Sequence, residues 1–489
     1  MTPEEIIQLY NFGPDAVVEC VLLLEQENLL LKKKNQLLEE KINRLSRDST
    51  TSHKPPSSDS LNKKPRPPKR GSSGRSQGAQ KGHPGKARNI MPPDKIDRTI
   101  PHKPDKCEKC NILFSRENSS KPVERHQVWE LPKIDPIIEE HVFFETECTC
   151  GHRTRAAIPQ WIYSGVGENA QAAITYFTAV GKLTRRNLKL IFEQFFHFPI
   201  SIGAIQNRLE NSSKILKAPC DQLEKALAEQ KNLNIDETSY PQNGSLAWLW
   251  AFVAPYFAVF VIDDKRSSKV LKHVLGLTFA GIIISDRFSA YIKFQKDRFN
   301  GLIQFCWAHI IRDIKALRYI PDSLSQKPFA LLARQHIGTV FRIWHAFKNG
   351  RISREQLIDK SKIPIGKLKN LCQRNQQSSN ENLRSFCINL LKKWDCLFVF
   401  IHNDGVEPTN NRAEQIIRSG VETRKISYCT RSQKGQFLRA RLLTVTQTCR
   451  IQARNTHDYI RECIQRYRRT KTIPSLLPNS EAIDREKVA

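Results

Sequence analysis

Apolar residues recur every seven positions in residues 17–45, near the start of the chain. All four d positions of this heptad are leucine, and two of its a positions are asparagine (d: Leu24, Leu31, Leu38, Leu45; a: Val21, Asn28, Asn35, Ile42). Glu27 at a g position would meet Lys32 at an e position of a parallel partner helix, and asparagine at a favours two strands in one register. The pattern predicts a coiled-coil dimerisation segment over residues 1–48. The alternative is an amphipathic helix that packs on its own chain.

A second helical pattern covers residues 161–230. Residues 183–216 predict a helix, a short turn and a second helix over 203–216, with Ser201 as the N-cap. The pair is either a helix–turn–helix that enters a DNA major groove or two helices that only pack. Its basic residues would contact phosphate rather than bases.

Short apolar runs then lead to acidic residues. Residues 233–235 precede Asp236, and the β-branched run 280–285 precedes Asp286. Between them, the apolar stretch 246–262 has Pro255 near its middle, which predicts the two strands of a hairpin. Two strands that each end near an acid can place both carboxylates side by side.

Two close carboxylates repel each other unless a cation lies between them, so such a pair is suited to magnesium. A third carboxylate would complete a clamp of two metal ions on a phosphoryl transfer. The candidate is Glu414, which follows a predicted helix start at Pro408 and Thr409. Arg418 lies four residues further on, on the same helix face. The alternative is that each acid is a solvated or helix-capping group.

Cysteines form a second candidate metal site. Cys107 and Cys110 have the two-residue spacing with which thiolates share a tetrahedral zinc, and Cys148 and Cys150 follow. The second pair has one intervening residue, so His152 is an alternative ligand. The sequence predicts one structural zinc in a small domain over residues 95–160, against the alternative of four reduced cysteines.

The composition narrows the partner and the compartment. The 489 residues carry a formal net charge of +29, which favours a polyanion such as DNA. Residues 51–90 hold ten basic residues against one acid, with six prolines and five glycines, and predict a basic linker over 49–94. The longest apolar run is shorter than the roughly 20 residues that span a membrane. Thirteen cysteines and the absence of a signal pattern at the N-terminus predict a reducing, cytoplasmic location without membrane association.

Several motifs resemble those of the bacterial insertion-sequence transposases of IS family sixty-six. The segment 53–85 is similar to a Ser-Lys-Pro-Pro-Ser-Ser-Asp stretch followed by Gly-Arg-Gln-Gly-His-Pro-Gly. Four further motifs of the family match in order: 235–238 (Asp-Glu-Thr), 285–291 (Ser-Asp-Gly-Tyr-x-x-Tyr), 306–312 (Cys-Trp-Ala-His-x-x-Arg) and 410–415 (Asn-Asn-x-Ala-Glu-Arg). The chain departs from them at Arg287, where glycine is usual, and at Gln415, where arginine is usual.

The resemblance implies an α/β RNase-H-like catalytic core with a helical insertion, an N-terminal coiled coil and a small zinc-binding domain. The core would comprise residues 231–319 and 401–466, the insertion 320–400, and a basic tail 467–489. An Asp236–Asp286–Glu414 triad would hold two magnesium or manganese ions for DNA cleavage and strand transfer. The predicted supporting or DNA-contacting residues are His309, Arg312, Asn411 and Arg418.

The implied partners are element-end and target DNA, a second copy of the chain or a higher homo-oligomer, and accessory proteins of the same element, near the bacterial nucleoid. The alternatives are a catalytically decayed, transposase-derived DNA-binding protein and a nuclease without strand transfer. His309 and Arg312 either support the metal site or belong to a structural cluster around Trp307.

Overall fold

The computed structural model describes residues 2–45, 89–115, 119–297, 301–427 and 429–478. These parts form two compact units, one within residues 1–60 and 139–489 and the other within 61–138. The end of the predicted coiled coil, most of the predicted linker and residues 479–489 of the basic tail lie outside the described residues.

Two helices begin the chain, α1 (Pro3–Asn11) and α2 (Pro14–Leu45). Gly13, at φ 104°, lies between them in a conformation that favours glycine. The heptad residues Val21, Leu24, Leu31 and Leu38 are exposed along α2. The predicted helix is therefore present, whereas its pairing with a second chain stays a prediction.

The smaller unit is held by few contacts in its described parts. A short 3₁₀ helix spans Pro93–Lys95, and Gln127 exchanges two hydrogen bonds with the backbone of Met91, at 2.8 and 2.9 Å. In the larger unit, β1 (Glu145–Glu147) and β2 (Arg153–Arg155) form an antiparallel hairpin, and a 3₁₀ helix spans Ile162–Ser164.

Four helices come next: α3 (Glu168–Ala179), α4 (Arg185–Gln194), α5 (Ile202–Ile215) and α6 (Lys217–Ala226), with a 3₁₀ turn at Leu227–Glu229. Ser201 caps α5 as predicted, because its hydroxyl accepts a hydrogen bond from Ala204 N at 3.0 Å. The helix α5 packs on α3 and α4 through a face that includes Ile205 and Leu209, both fully buried. Its role in reading DNA stays a prediction.

The central sheet has five strands and mixed direction. In chain order the elements are β3 (Asn232–Ser239), β4 (Trp248–Val253), β5 (Ala258–Asp263), α7 (Ser268–Leu275), β6 (Ile282–Ser285), α8 (Ser289–Lys296), β7 (Leu302–Phe305) and α9 (Trp307–Ala316). The strand order is β5-β4-β3-β6-β7. The first three strands are antiparallel, and β3, β6 and β7 are parallel. This α/β arrangement is compatible with the predicted RNase-H-like core, and the predicted hairpin is present as β4 and β5.

A helical segment separates the sheet from the residues around Glu414. It begins with the short hairpin β8 (Pro321–Asp322) and β9 (Ser325–Pro328). The helices are α10 (Phe329–Lys348), α11 (Arg354–Arg374), α12 (Glu381–Leu391) and α13 (Val399–His402), with 3₁₀ turns at Asn375–Gln377 and Trp394–Cys396. The range 320–400, predicted as a helical insertion, is thus mostly helical, although it begins with the unpredicted β8–β9 hairpin.

Three helices return the chain to the sheet: α14 (Asn411–Ser427), α15 (Gln433–Ile451) and α16 (Thr456–Thr470). Successive side chains of β4 point to opposite faces of the sheet, and Leu249 points towards α14 and α15. There it packs in a cluster with Ile417 and Leu443. The helix α14 approaches so closely that a Cβ at Gly420 would lie 2.2 Å from Leu249 Cδ2. Glycine at this position therefore permits the packing of α14 on the sheet.

The edge strand β5 is covered by α15. The hydroxyl of Thr444 accepts a hydrogen bond from Phe260 N at 2.9 Å, and that of Thr448 accepts one from Ala258 N at 3.1 Å. These bonds satisfy backbone donors that an open sheet edge would leave exposed. Within the described residues, every helix is too short or too polar to traverse a lipid bilayer.

Candidate active site

The register of the sheet brings two aspartates together. Strands β3 and β6 are parallel, with Asn234 beside Ile284. Asp236 and Asp286 each lie two residues beyond this pair, and their carboxylates are close enough to repel each other. Neighbouring strands lie about 4.8 Å apart. The sequence predicted that each aspartate lies near the end of a strand. Asp286 directly follows β6, whereas Asp236 lies within β3, three residues before its end at Ser239. Both side chains are half-buried at the centre of the sheet.

Glu414 is the fourth residue of α14, and its side chain is 34% exposed. Two basic residues of α9 lie next to it: His309 Nδ1 is 3.6 Å from Glu414 Oε1, and Arg312 Nη2 is 3.9 Å from the same oxygen. Burial raises the pKa of Glu414, with Arg312 opposing the rise and Asp286 adding to it. Glu414 therefore lies close enough to the aspartates for their carboxylates to repel one another.

Asn410 joins the segments that carry these acids. Its side-chain amide donates to Ile235 O at 2.7 Å, and its side-chain oxygen accepts from Asn234 Nδ2 at 3.0 Å, so it is bonded to β3 on both sides. Its backbone N–H donates to Cys306 Sγ at 3.1 Å, just before α9. Its carbonyl accepts from Glu414 N at 3.1 Å. Asn410 is only 1% exposed and therefore positions β3, α9 and α14 relative to one another.

The predicted Asn411 and Arg418 lie on α14 and are exposed. Arg287, which replaces the glycine of the resembled motif, forms an ion pair with Asp313 of α9. This pair connects the segment after β6 to the helix that carries His309 and Arg312.

A fourth carboxylate, Glu237, was not among the predicted site residues. It is 8% exposed, accepts a hydrogen bond from the Tyr291 hydroxyl and forms an ion pair with Arg266 Nη2 at 2.8 Å. Burial and the Asp286 carboxylate raise the pKa of Glu237 to about 7. The signals for it in the sequence were its position directly after Asp236 and its match to the Glu of the Asp-Glu-Thr motif.

Burial raises the pKa of Asp236 well above its usual range, and the carboxylates of Glu237, Asp286 and Glu414 raise it further. A hydrogen bond from Glu237 N at 3.0 Å opposes this effect. The protein thus concentrates negative charge at this point without a basic side chain bonded to Asp236 in the described structure.

This donor set fits divalent cations that prefer oxygen ligands, such as magnesium. Glu414 Oε1 is buried and has no hydrogen-bond partner among the described residues, as expected of an oxygen that would bind a metal. A cation among the acids would also remove the repulsion that raises the pKa of Asp236.

A tighter cluster lies beside the triad. The ligand atoms of Cys306, His309 and Glu414 all lie within 4.8 Å of one another. Burial, however, raises the pKa of the Cys306 thiol to about 11, and its sulfur already accepts the hydrogen bond from Asn410. These features favour a structural role for the thiol.

The predicted zinc ligands lie in two turns. At Cys107, hydrogen bonds from the backbone N–H groups of Cys110 and Lys109 lower the pKa of the thiol. At Cys148, hydrogen bonds from the backbone and side chain of Cys150 do the same. Each turn therefore favours the thiolate, the form that binds zinc. A shared metal site stays a prediction.

The comparison with known families matches residues 165–437 to the family described as "Transposase IS66 family", and residues 16–89 to a family of unknown function, DUF6444. The first match contains all three predicted catalytic acids and covers more than half of the chain.

Two curated relatives come from Sinorhizobium fredii (strain NBRC 101917 / NGR234). Uncharacterized protein y4qI is 25% identical over 280 residues, covering 51% of this chain and 50% of the relative. Uncharacterized protein y4hP is 23% identical over 356 residues, covering 66% of this chain and 63% of the relative. The chain thus spans between half and two thirds of the length of these relatives.

Glu237 predicts a pH dependence of stability in the metal-free protein. Its pKa rises from 4.5 to about 7 on folding, so the folded state holds the proton more tightly than the unfolded state. Protonated Glu237 therefore contributes its full stabilisation of the folded state below pH 4.5, and this stabilisation is lost as the pH rises through about 7. We expect the free energy of unfolding of wild type, relative to Glu237→Gln, to fall by about 3 kcal/mol across this window. Urea unfolding with a chelator present measures it, and parallel profiles for the two proteins would contradict the assignment.

Proposed function

Because the chain belongs to the IS66 family of transposases, we propose that it cleaves and joins the DNA of an insertion sequence at a site formed by Asp236, Asp286 and Glu414. The sheet that holds the two aspartates would be an RNase-H-like core, with 320–400 as its helical insertion. The observation that supports the proposal is the parallel pairing of β3 and β6, the strands that lead to Asp236 and Asp286, with Glu414 on α14 close enough to interact with the Asp286 carboxylate.

The three carboxylates would hold two magnesium or manganese ions. When bound, such ions activate an attacking oxygen and stabilise the leaving oxygen in phosphodiester cleavage and transfer. The protein's own contribution is placement: β3, β6 and α14 fix the acids, and Asn410 fixes the segments. Arg312 lies where its guanidinium can hold Glu414 in position and contact a phosphate oxygen. Accessory proteins of the element and a location near the nucleoid stay predictions.

Substitution of the acids tests the triad. We expect Asp236→Asn, Asp286→Asn and Glu414→Gln each to reduce cleavage of element-end DNA by roughly 10³-fold or more, because each removes a metal ligand. A gel assay with labelled DNA and magnesium or manganese measures it. Matched controls are Asp359→Asn and Glu381→Gln, exposed residues of the helical segment.

Wild-type rates in any of the three variants would refute the triad. Absence of cleavage by the wild-type protein would favour the decayed DNA-binding alternative. Cleavage without joining of pre-nicked ends would favour a nuclease.

We also propose that α2 pairs with α2 of a second copy. Four heptad residues are exposed along one stripe of the helix, and a paired helix would bury them. Dimerisation would bring together two active sites, as the joining of two element ends requires.

Leu31→Ser and Leu30→Ser form a matched pair for this proposal. Leu31 occupies a d position, whereas Leu30 lies outside the a/d stripe, and both are exposed. We expect Leu31→Ser to shift the full-length protein towards the mass of a monomer in light scattering. The mass of Leu30→Ser should equal that of wild type. Equal masses for all three proteins would contradict the coiled coil.

The four cysteines Cys107, Cys110, Cys148 and Cys150 would bind one structural zinc ion, with His152 as a substitute ligand. Elemental analysis of the full chain should find about one zinc per chain. We expect Cys107→Ser to lose it and Cys429→Ser, outside both turns, to retain it. Zinc-free wild-type protein, purified without chelator, would refute the site.

A further inference from the structure

A groove with a volume of about 670 Å³ lies along the flank of α14 that carries Gln415, Arg418 and Glu422. Gln415 directly follows Glu414, and Arg418 lies about one turn further along the helix. The other walls are α3, α15 and the start of α16. Four basic residues line the groove against one acid, Glu422 (basic: Lys182, Arg418, Arg450, Arg454).

Two of these cations are available for a ligand. Lys182 forms an ion pair with Glu422, and Arg454 donates to Ser475 O at 3.3 Å. Arg418 and Arg450 are exposed, and neither guanidinium group makes a hydrogen bond or ion pair with another residue in the described parts of the chain. The groove therefore presents two guanidinium groups suited to phosphate oxygens.

A second observation points into the same groove. Gln447 lines it and is only 6% exposed, and its side-chain oxygen has no hydrogen-bond partner within the described residues. A buried acceptor without a partner is unfavourable, so a ligand or an ordered water that supplies a donor is favoured here. Hydrated DNA can do so, because ordered water can donate to the amide while phosphate oxygens accept from the arginines.

The wall between α15 and α16 is fixed by its own hydrogen bonds. Ala453 adopts the left-handed conformation at φ 51°, and Arg454 N donates to Cys449 O at 2.8 Å. Asn455 caps α16 by accepting from His457 N at 3.0 Å. The groove is thus preformed, which lowers the entropic cost of binding.

We propose that this groove binds the phosphate backbone of duplex DNA, through Arg418 and Arg450, beside the catalytic acids. The inference rests on the proposed function for its partner, but it concerns a surface outside the triad. The contact is independent of base sequence, because phosphates are the groups that arginines at this surface would reach.

The test measures binding of a labelled duplex of arbitrary sequence to the full chain, with a chelator present, over a range of salt. Each phosphate contact adds about 0.9 to the slope of log K against log salt. We expect the double variant Arg418→Gln/Arg450→Gln to lower the slope by about 1.8. Glu422→Gln should bind more tightly than wild type, because it frees Lys182, and misfolding could not produce such a gain.

The matched control is Arg334→Gln/Arg351→Gln, which removes the same charge from exposed positions of the helical segment. We expect its slope to equal that of wild type. An unchanged slope in the groove variant, or an equal loss in the control, would overturn the groove while leaving the triad assay unaffected. Failure of wild type to bind DNA at all would instead count against the proposed function.

Discussion

A single buried asparagine sets the geometry on which the candidate active site depends. Asn410 bonds to β3 through its side chain, to Cys306 through its N–H and to Glu414 through its carbonyl. The bonds to β3 and to Cys306 connect residues that lie more than a hundred positions apart in the chain. A buried amide that loses a partner costs about 1–3 kcal/mol, so the four bonds favour one arrangement of β3, α9 and α14. The acids on these segments are placed as a consequence.

That arrangement imposes an electrostatic cost. Asp236 and Asp286 accept hydrogen bonds from backbone N–H groups, Glu237 has Arg266, and Glu414 has Arg312 at 3.9 Å. Folding holds these carboxylates close together and partly removes them from water, which raises the pKa of Asp236. Divalent cations would offset the repulsion. The same frame that destabilises the charged, metal-free site therefore prepares it for metal.

The sequence predicted those features that depend on local pattern. The cap at Ser201, the hairpin around Pro255 and the strands leading to Asp236 and Asp286 each follow from a few neighbouring residues. The alignment of the two aspartates was only a hypothesis, because register is set by pairing between distant strands.

The roles of neighbouring residues were harder to predict for the same reason. Asn410 and Asn411 are adjacent residues of the same type, yet Asn410 is buried where β3, α9 and α14 meet and Asn411 is exposed at the start of α14. Glu237 likewise acquires its raised pKa from burial and from Asp286, a distant residue in the sequence, against the opposing hydrogen bond from Tyr291. Long-range packing decides both cases. The most direct test of the account is a crystal structure of the full chain with manganese, with the ions located by anomalous scattering. Two ions about 3.5–4 Å apart among Asp236, Asp286 and Glu414 are the predicted result, whereas an ion held by Cys306 and His309, or none near the aspartates, would contradict it.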